Sequence, residues 1–190
     1  MYLCIALLVD YKVNNYVREI VYNLSENQGV GIEPSLLPQH VSLKQTFEVD
    51  SIKEVDRFFE DFAASVKTFE VEFSKIDLIK MGAGEKTTEI LWLDVEESNE
   101  LRVIHNRLND EMAKQVNVPA TGFDGDRFHF HSTIAYGYNG EVDFESVKEE
   151  WEPLTPELRF EAKEIALFYS PDAQCVPGRF VTYKILPLGI

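Results

Sequence analysis

The opening run "MYLCIALLVD" is apolar almost throughout and predicts a buried strand over residues 2–9. A helix follows over 14–26, where Tyr16, Val17, Ile20, Val21 and Leu24 recur at helical spacing. The Gly- and Pro-bearing stretch "QGVGIEPSLLP" then reads as a loop. Residues 40–49, "HVSLKQTFEV", alternate, with Val41, Leu43, Phe47 and Val49 on one face and His40, Ser42, Lys44 and Thr46 on the other. Next, Ser51 and Glu54 form a capping-box pattern ahead of an apolar stripe of Val55, Phe58, Phe59, Phe62 and Val66, which predicts a second helix. Strands over 69–80 and 89–96 flank the loop "MGAGEKTT", and a helix from Ser98 to Val116 is carried by Leu101, Ile104, Leu108 and Met112.

From there the pattern repeats. "HSTIAYGY" alternates as "HVSLKQTF" does, a short helix around "DFESVKEEW" follows, and "EIALF" at 164–168 matches "KIDLI" at 75–79 before the strand "RFVTYKIL". The spacing from His40 to Ile76 nearly equals that from His131 to Ile165. The expectation is a single α+β domain over 1–190: two pseudo-symmetric lobes of antiparallel sheet flanked by helices around a central cleft, the second copy beginning near residue 89.

The repeat places a histidine, any residue, a hydroxyl residue and an aliphatic on one strand of each half, "HVSL" at 40–43 and "HSTI" at 131–134. Strand periodicity puts each imidazole and its hydroxyl on one face with the aliphatic turned inward. Two imidazoles across a cleft suit phosphodiester breakdown. One takes a proton from the attacking oxygen and the other protonates the leaving oxygen, both within reach of an ordinary pKa of about 6.5. The hydroxyls of Ser42 and Thr133 would donate to the non-bridging phosphate oxygens, and the scheme requires neither metal nor cofactor.

Charge narrows the substrate. A formal net charge of −15 argues against a grip on long nucleic acid, which needs clustered Lys and Arg, and leaves a small nucleotide or a small phosphate ester as the partner. Cys4 and Cys175 stand without paired spacing, so neither a disulfide nor a thiolate metal site is implied and a reducing cytoplasm fits. The first segment has no basic leader or cleavage site and meets Asp10 too early to cross a bilayer; a cytoplasmic monomer, away from membranes, is expected.

These motifs are similar to those of the two-histidine (2H) phosphoesterase superfamily, and within it of the bacterial and archaeal 2′-5′ RNA ligase and cyclic phosphodiesterase branch. The resemblance covers nearly the whole chain and includes "HVSL", "HSTI", "EILWLDVE" and "IALFYS". It implies a bilobal fold, metal-independent chemistry, and substrates such as 2′,3′-cyclic phosphates at RNA ends or 2′-5′ linkages. By the family's motif His40 and His131 are the acid–base pair and Ser42 and Thr133 the phosphate-holding hydroxyls; Ser42 stands where Thr is commoner and keeps the donor. The acidity favours hydrolysis of small cyclic phosphates over ligation of tRNA halves. The alternatives are a 2′-5′ RNA ligase or 2′-5′ oligonucleotide phosphodiesterase, a hydrolase of ADP-ribose cyclic phosphate, and a nucleotide-binding protein without catalysis.

Other residues carry a functional and a plain reading. His129 shares the His131 face, as a cleft-rim group or a partner orienting His131. "HFH" with Asp124 and Asp126 could instead hold zinc or manganese, although spacing marks no further ligands. Lys44 continues the His40 face and could meet a phosphate, while Tyr169, Phe123 and Tyr136 are candidates to stack on a base, Tyr136 the poorest because alternation turns it inward. His105 reads as a helix-surface residue, Arg127 and Lys86 as loop charges, and "VKEEWE" as a solvated helix face. The glycines of "MGAGEKTT" read as a hairpin connection, since no Gly-Lys-Ser/Thr follows them.

Overall fold

Side-chain caps set the ends of the helices. Asp10 accepts the Val13 N–H at 2.9 Å to start α1 (Tyr11–Gln28), which closes at Gly29 with φ 68°, a left-handed conformation that glycine adopts without strain. Ser98 caps α3 (Asn99–Gln115) through the Leu101 N–H, and Asp143 caps α4 (Phe144–Trp151) through the Ser146 N–H. The capping box expected before α2 (Lys53–Ser65) does not form: Ser51 Oγ reaches only Lys53 N, at 3.4 Å. The stripe alone carries α2, with Val55, Phe58, Phe59, Phe62 and Val66 all buried. Burying each such side chain contributes roughly 1.5–3 kcal/mol.

The computed structural model describes residues 1–82, 87–138, 140–154, 156–171 and 178–189; Lys86 and Cys175 lie outside them. The strands are β1 (Tyr2–Leu8), β2 (His40–Ser42), β3 (Phe47–Glu48), β4 (Phe69–Met81), β5 (Thr88–Glu96), β6 (His131–Tyr138), β7 (Arg159–Ala162), β8 (Glu164–Ser170) and β9 (Val181–Pro187). They form two antiparallel sheets. One has the order β2-β1-β8-β9, with β3 also on β1; the other has the order β6-β5-β4-β7. The architecture is α+β, as expected, but each sheet draws on both halves of the chain. The "KIDLI" strand β4 pairs with β5, and its match β8 pairs with β1.

The strand expected over 40–49 is interrupted. Ser42 pairs with Ala6 and Phe47 with Leu3, so the chain from 42 to 47 is longer than the β1 segment it faces, and it turns between them. Leu43 N still bonds Ile5 O at 2.8 Å, after which Lys44 turns into the protein. A second irregularity lies in β6, where Ala135 pairs with Leu91 and Thr133 with Trp92, leaving Ile134 as an extra residue. This bulge reverses the alternation beyond it. Tyr136, expected to turn inward, therefore shares the face of His131 and Thr133 and is only half-buried.

Beneath each sheet the inward faces join one large core, with Leu3, Ile5, Leu7 and Val41 packed with Val17, Ile20 and Leu24. A smaller apolar cluster of Ala6, Leu8, Ala166 and Phe168 sits on the opposite face of the first sheet, the face that carries His40 and Ser42. Among the described residues no helix is long and apolar enough to cross a membrane.

Candidate active site

The first imidazole stands at the start of β2, paired with Leu8 and packed edge-on against Phe168 with centroids 4.8 Å apart. His40 Nδ1 lies 2.8 Å from Pro38 O. The second stands at the start of β6, with His131 Nδ1 2.9 Å from the His129 carbonyl. A carbonyl only accepts, so in both rings Nδ1 carries the proton and Nε2 presents a lone pair. The same tautomer arises twice, each held by the carbonyl two residues upstream.

Burial holds both imidazoles neutral. The protein around His131, including the Trp92 ring 4.5 Å away, pushes its pKa down to about 4; the bond to the His129 carbonyl opposes this, while His129 and His40 push further down and Asp94 pulls up. Burial likewise lowers His40 below its ordinary value, against the pull of the Pro38 carbonyl. Both rings are thus bases near neutrality. An anion between them would favour the imidazolium and let one become an acid.

Ser42 and Thr133 each follow their histidine by two positions on the same strand and are partly exposed. Ser42 Oγ lies 3.6 Å from Cys4 Sγ, and Thr133 pairs with Trp92 across β5. Each of the two strands thus brings one bare nitrogen and one hydroxyl to one of its own faces.

The sequence profile of the 2′-5′ RNA ligase superfamily matches residues 27–173, a span that holds both histidines. The chain belongs to this superfamily of 2H phosphoesterases. Solved structures share the fold of this 2H phosphoesterase at low identity. E. coli LigT complexed with 3′-AMP has 15% identity and a TM-score of 0.54, covering 99% of this chain and 98% of that one. Kluyveromyces marxianus Usb1 has 16% identity and a TM-score of 0.52 over 98% of each chain. TT0787 of Thermus thermophilus has 13% identity and a TM-score of 0.58 over 99% and 98%. No curated protein matches the sequence.

Two residues expected at the cleft of this 2H phosphoesterase lie elsewhere. Lys44 is fully buried, its Nζ 2.7 Å from both Asp124 Oδ2 and Asn109 Oδ1, because the turn after Ser42 carries it off the strand face. Tyr169 pairs with Leu3, on the core side of β8; Phe168 is the residue that faces His40. His105 is no surface residue: it is fully buried, with Nδ1 donating to Leu43 O and Nε2 accepting from Gly125 N, each at 2.8 Å. Phe123 and Arg127 are exposed on the loop before β6.

His129 lies beside its neighbour, ring centroids 6.1 Å apart, with Nε2 2.6 Å from Asp94 Oδ1 and its backbone carbonyl on His131. The proposed metal quartet does not assemble, since Asp124 is committed to Lys44 and to the N–H groups of Thr121 and Gln45. Among the described residues no three His, Cys, Asp or Glu side chains converge on one point.

Sequence reasoning missed Gln39, Trp92, Phe168 and Ser132. Trp92 and Asp94 alternate with the buried Leu91 and Leu93, a pattern that marks them as facing away from the core. Nothing local marks Gln39 or Ser132. Their partners are 92 to 94 residues away.

Proposed function

We propose that the protein hydrolyses nucleoside 2′,3′-cyclic phosphates, free or at an RNA end, to phosphate monoesters by metal-independent acid–base catalysis. The observation that carries this reading is the matched pair of Nδ1-anchored imidazoles, each with a hydroxyl two residues on. With the phosphate between them, one Nε2 takes a proton from water as its oxygen bonds to phosphorus. The bond from phosphorus to one ribose oxygen breaks, and the other imidazolium protonates that oxygen. Ser42 and Thr133 donate to the non-bridging oxygens, where charge grows in the transition state. The cyclic phosphate is itself the anion that raises one imidazole into its acid form.

The base is assigned to the stretch of β6 beyond Thr133, on the face that carries Tyr136. Tyr136 lines a cavity of about 250 Å³ with Gly29, Glu33, Tyr138 and Glu141. LigT is known complexed with 3′-AMP and Usb1 with uridine monophosphate, which supports a small nucleotide here. Several cations are already engaged, Lys44 on Asp124, Lys75 on Asp77 and Arg102 on Glu97, which favours a small substrate over ligation or cleavage of longer RNA. The reading includes an internal repeat in a single domain that works as a cytoplasmic monomer.

The test is turnover of a panel of 2′,3′-cyclic nucleotides by His40→Ala and His131→Ala, with the fold followed by circular dichroism. Each substitution should abolish nearly all activity in a folded protein. Retained turnover in either variant ends the proposal.

A further inference from the structure

The two imidazoles stand on edge strands of different sheets, so neither sheet by itself determines the distance between them. What crosses the gap is a short chain of side-chain hydrogen bonds. Gln39 Nε2 lies 2.8 Å from Ser132 Oγ and 2.6 Å from Thr133 O, and Ser132 Oγ lies 2.7 Å from His40 O. The direction of every bond follows from chemistry. The carbonyls of His40 and Thr133 can only accept, so the Ser132 hydroxyl donates to His40 and both N–H groups of Gln39 point at β6. Ser132 Oγ, having given its proton away, accepts from Gln39. The chain thus has one consistent orientation.

Both side chains are out of the solvent, Gln39 6% and Ser132 0% exposed. Strand parity turns them away from the imidazole face, since Gln39 precedes His40 and Ser132 lies between His131 and Thr133. They act instead on the backbone of the site: one bond ends on His40's own carbonyl, another on Thr133's. The tie has no symmetric copy, because Phe130 and Val41 occupy the matching places in the repeat.

We infer that Gln39 and Ser132 are positioning residues that set the separation of the two catalytic imidazoles by locking β2 against β6. The inference rests on the acid–base reading of His40 and His131. In-line displacement needs both nitrogens aligned with the phosphorus, and a misplacement of about 1 Å costs on the order of a hundredfold in rate. Ground-state binding of the nucleotide, to which contacts away from the reacting phosphorus contribute, depends less on that alignment.

The experiment compares Ser132→Ala, Gln39→Leu and the hydroxyl-retaining Ser132→Thr for kcat, KM and thermal midpoint on a 2′,3′-cyclic nucleotide. Ser132→Ala and Gln39→Leu should lower kcat by roughly tenfold to a hundredfold with KM changed less than about threefold, and Ser132→Thr should recover most of the loss. Should Ser132→Thr fail to fold, the kcat and KM of Gln39→Leu decide alone. A lower midpoint with wild-type kcat per folded molecule, or equal losses in kcat for Ser132→Ala and Ser132→Thr, overturns the inference. If His40→Ala and His131→Ala are inactive while Gln39→Leu is wild type, only the positioning role falls. If the histidine variants are active, the acid–base reading falls first.

Discussion

The Trp92 indole lies against the His131 imidazole with ring centroids 4.5 Å apart, and Trp92 is itself buried. This contact is part of the burial that pushes the His131 pKa down to about 4. Because kcat/KM reports the free protein and kcat the bound complex, their pH profiles should separate. The kcat/KM bell is expected on the acid side of 6.5, the ordinary imidazole value, and the kcat maximum at higher pH, where the bound anion supports the imidazolium. Trp92→Leu should move the kcat/KM bell upward by admitting water. Coincident profiles centred above pH 7 would contradict this account.

The same burial links stability to pH. Between about 4 and 6.5 the unfolded chain protonates the residue His131 while the folded chain does not, so stability falls as pH drops through that window. His40 and His105, both lowered by burial, act with the same sign. Unfolding midpoints in urea at pH 7 and pH 5 should show the loss. His105→Gln, which can still donate to Leu43 and accept from Gly125, should reduce it; an unchanged slope counts against His105.

Lys44 and Asp124 separate structure from catalysis. Removing one member of a buried ion pair costs about 3–5 kcal/mol, so Lys44→Met should lower the unfolding free energy by that order. Its kcat per folded molecule should stay within about threefold of wild type. A large loss of kcat at unchanged stability would return Lys44 to the phosphate.

The two hydroxyls should behave alike. Thr133→Val and Ser42→Ala each remove one donor to the phosphate and should cost about a hundredfold in kcat, whereas Ser42→Thr keeps the donor and should cost little. Tyr136→Ala should instead raise KM for nucleotides several-fold with kcat nearly intact. Steady-state kinetics on one cyclic nucleotide distinguishes these outcomes, and a purely KM effect for Thr133→Val would remove it from transition-state stabilisation.

The imidazole and hydroxyl positions were legible because spacing by two on a strand is a local property, and because it occurs twice in register. The helix stripes were legible for the same reason: Val55, Phe58, Phe59 and Phe62 point one way whatever they pack against. Lys44 looked like the next member of the His40 face because alternation was continued through a turn that only the pairing with β1 reveals. Tyr136 was misplaced by a single extra residue, Ile134, and Tyr169 by taking the wrong one of two adjacent aromatics for the face of His40.

The sequence alone thus determined the α+β character, the paired motifs and the acidic surface, all of which follow from side-chain chemistry and short-range periodicity. Tertiary structure decided the exchange of β4 and β8 between lobes, the inward turn of Lys44, the tautomers of His40 and His131, and the bridge from Gln39 through Ser132. Each of those depends on register and on partners far along the chain. A residue's own chemistry does not encode which distant carbonyl it will meet, so only the packed sheets determine it.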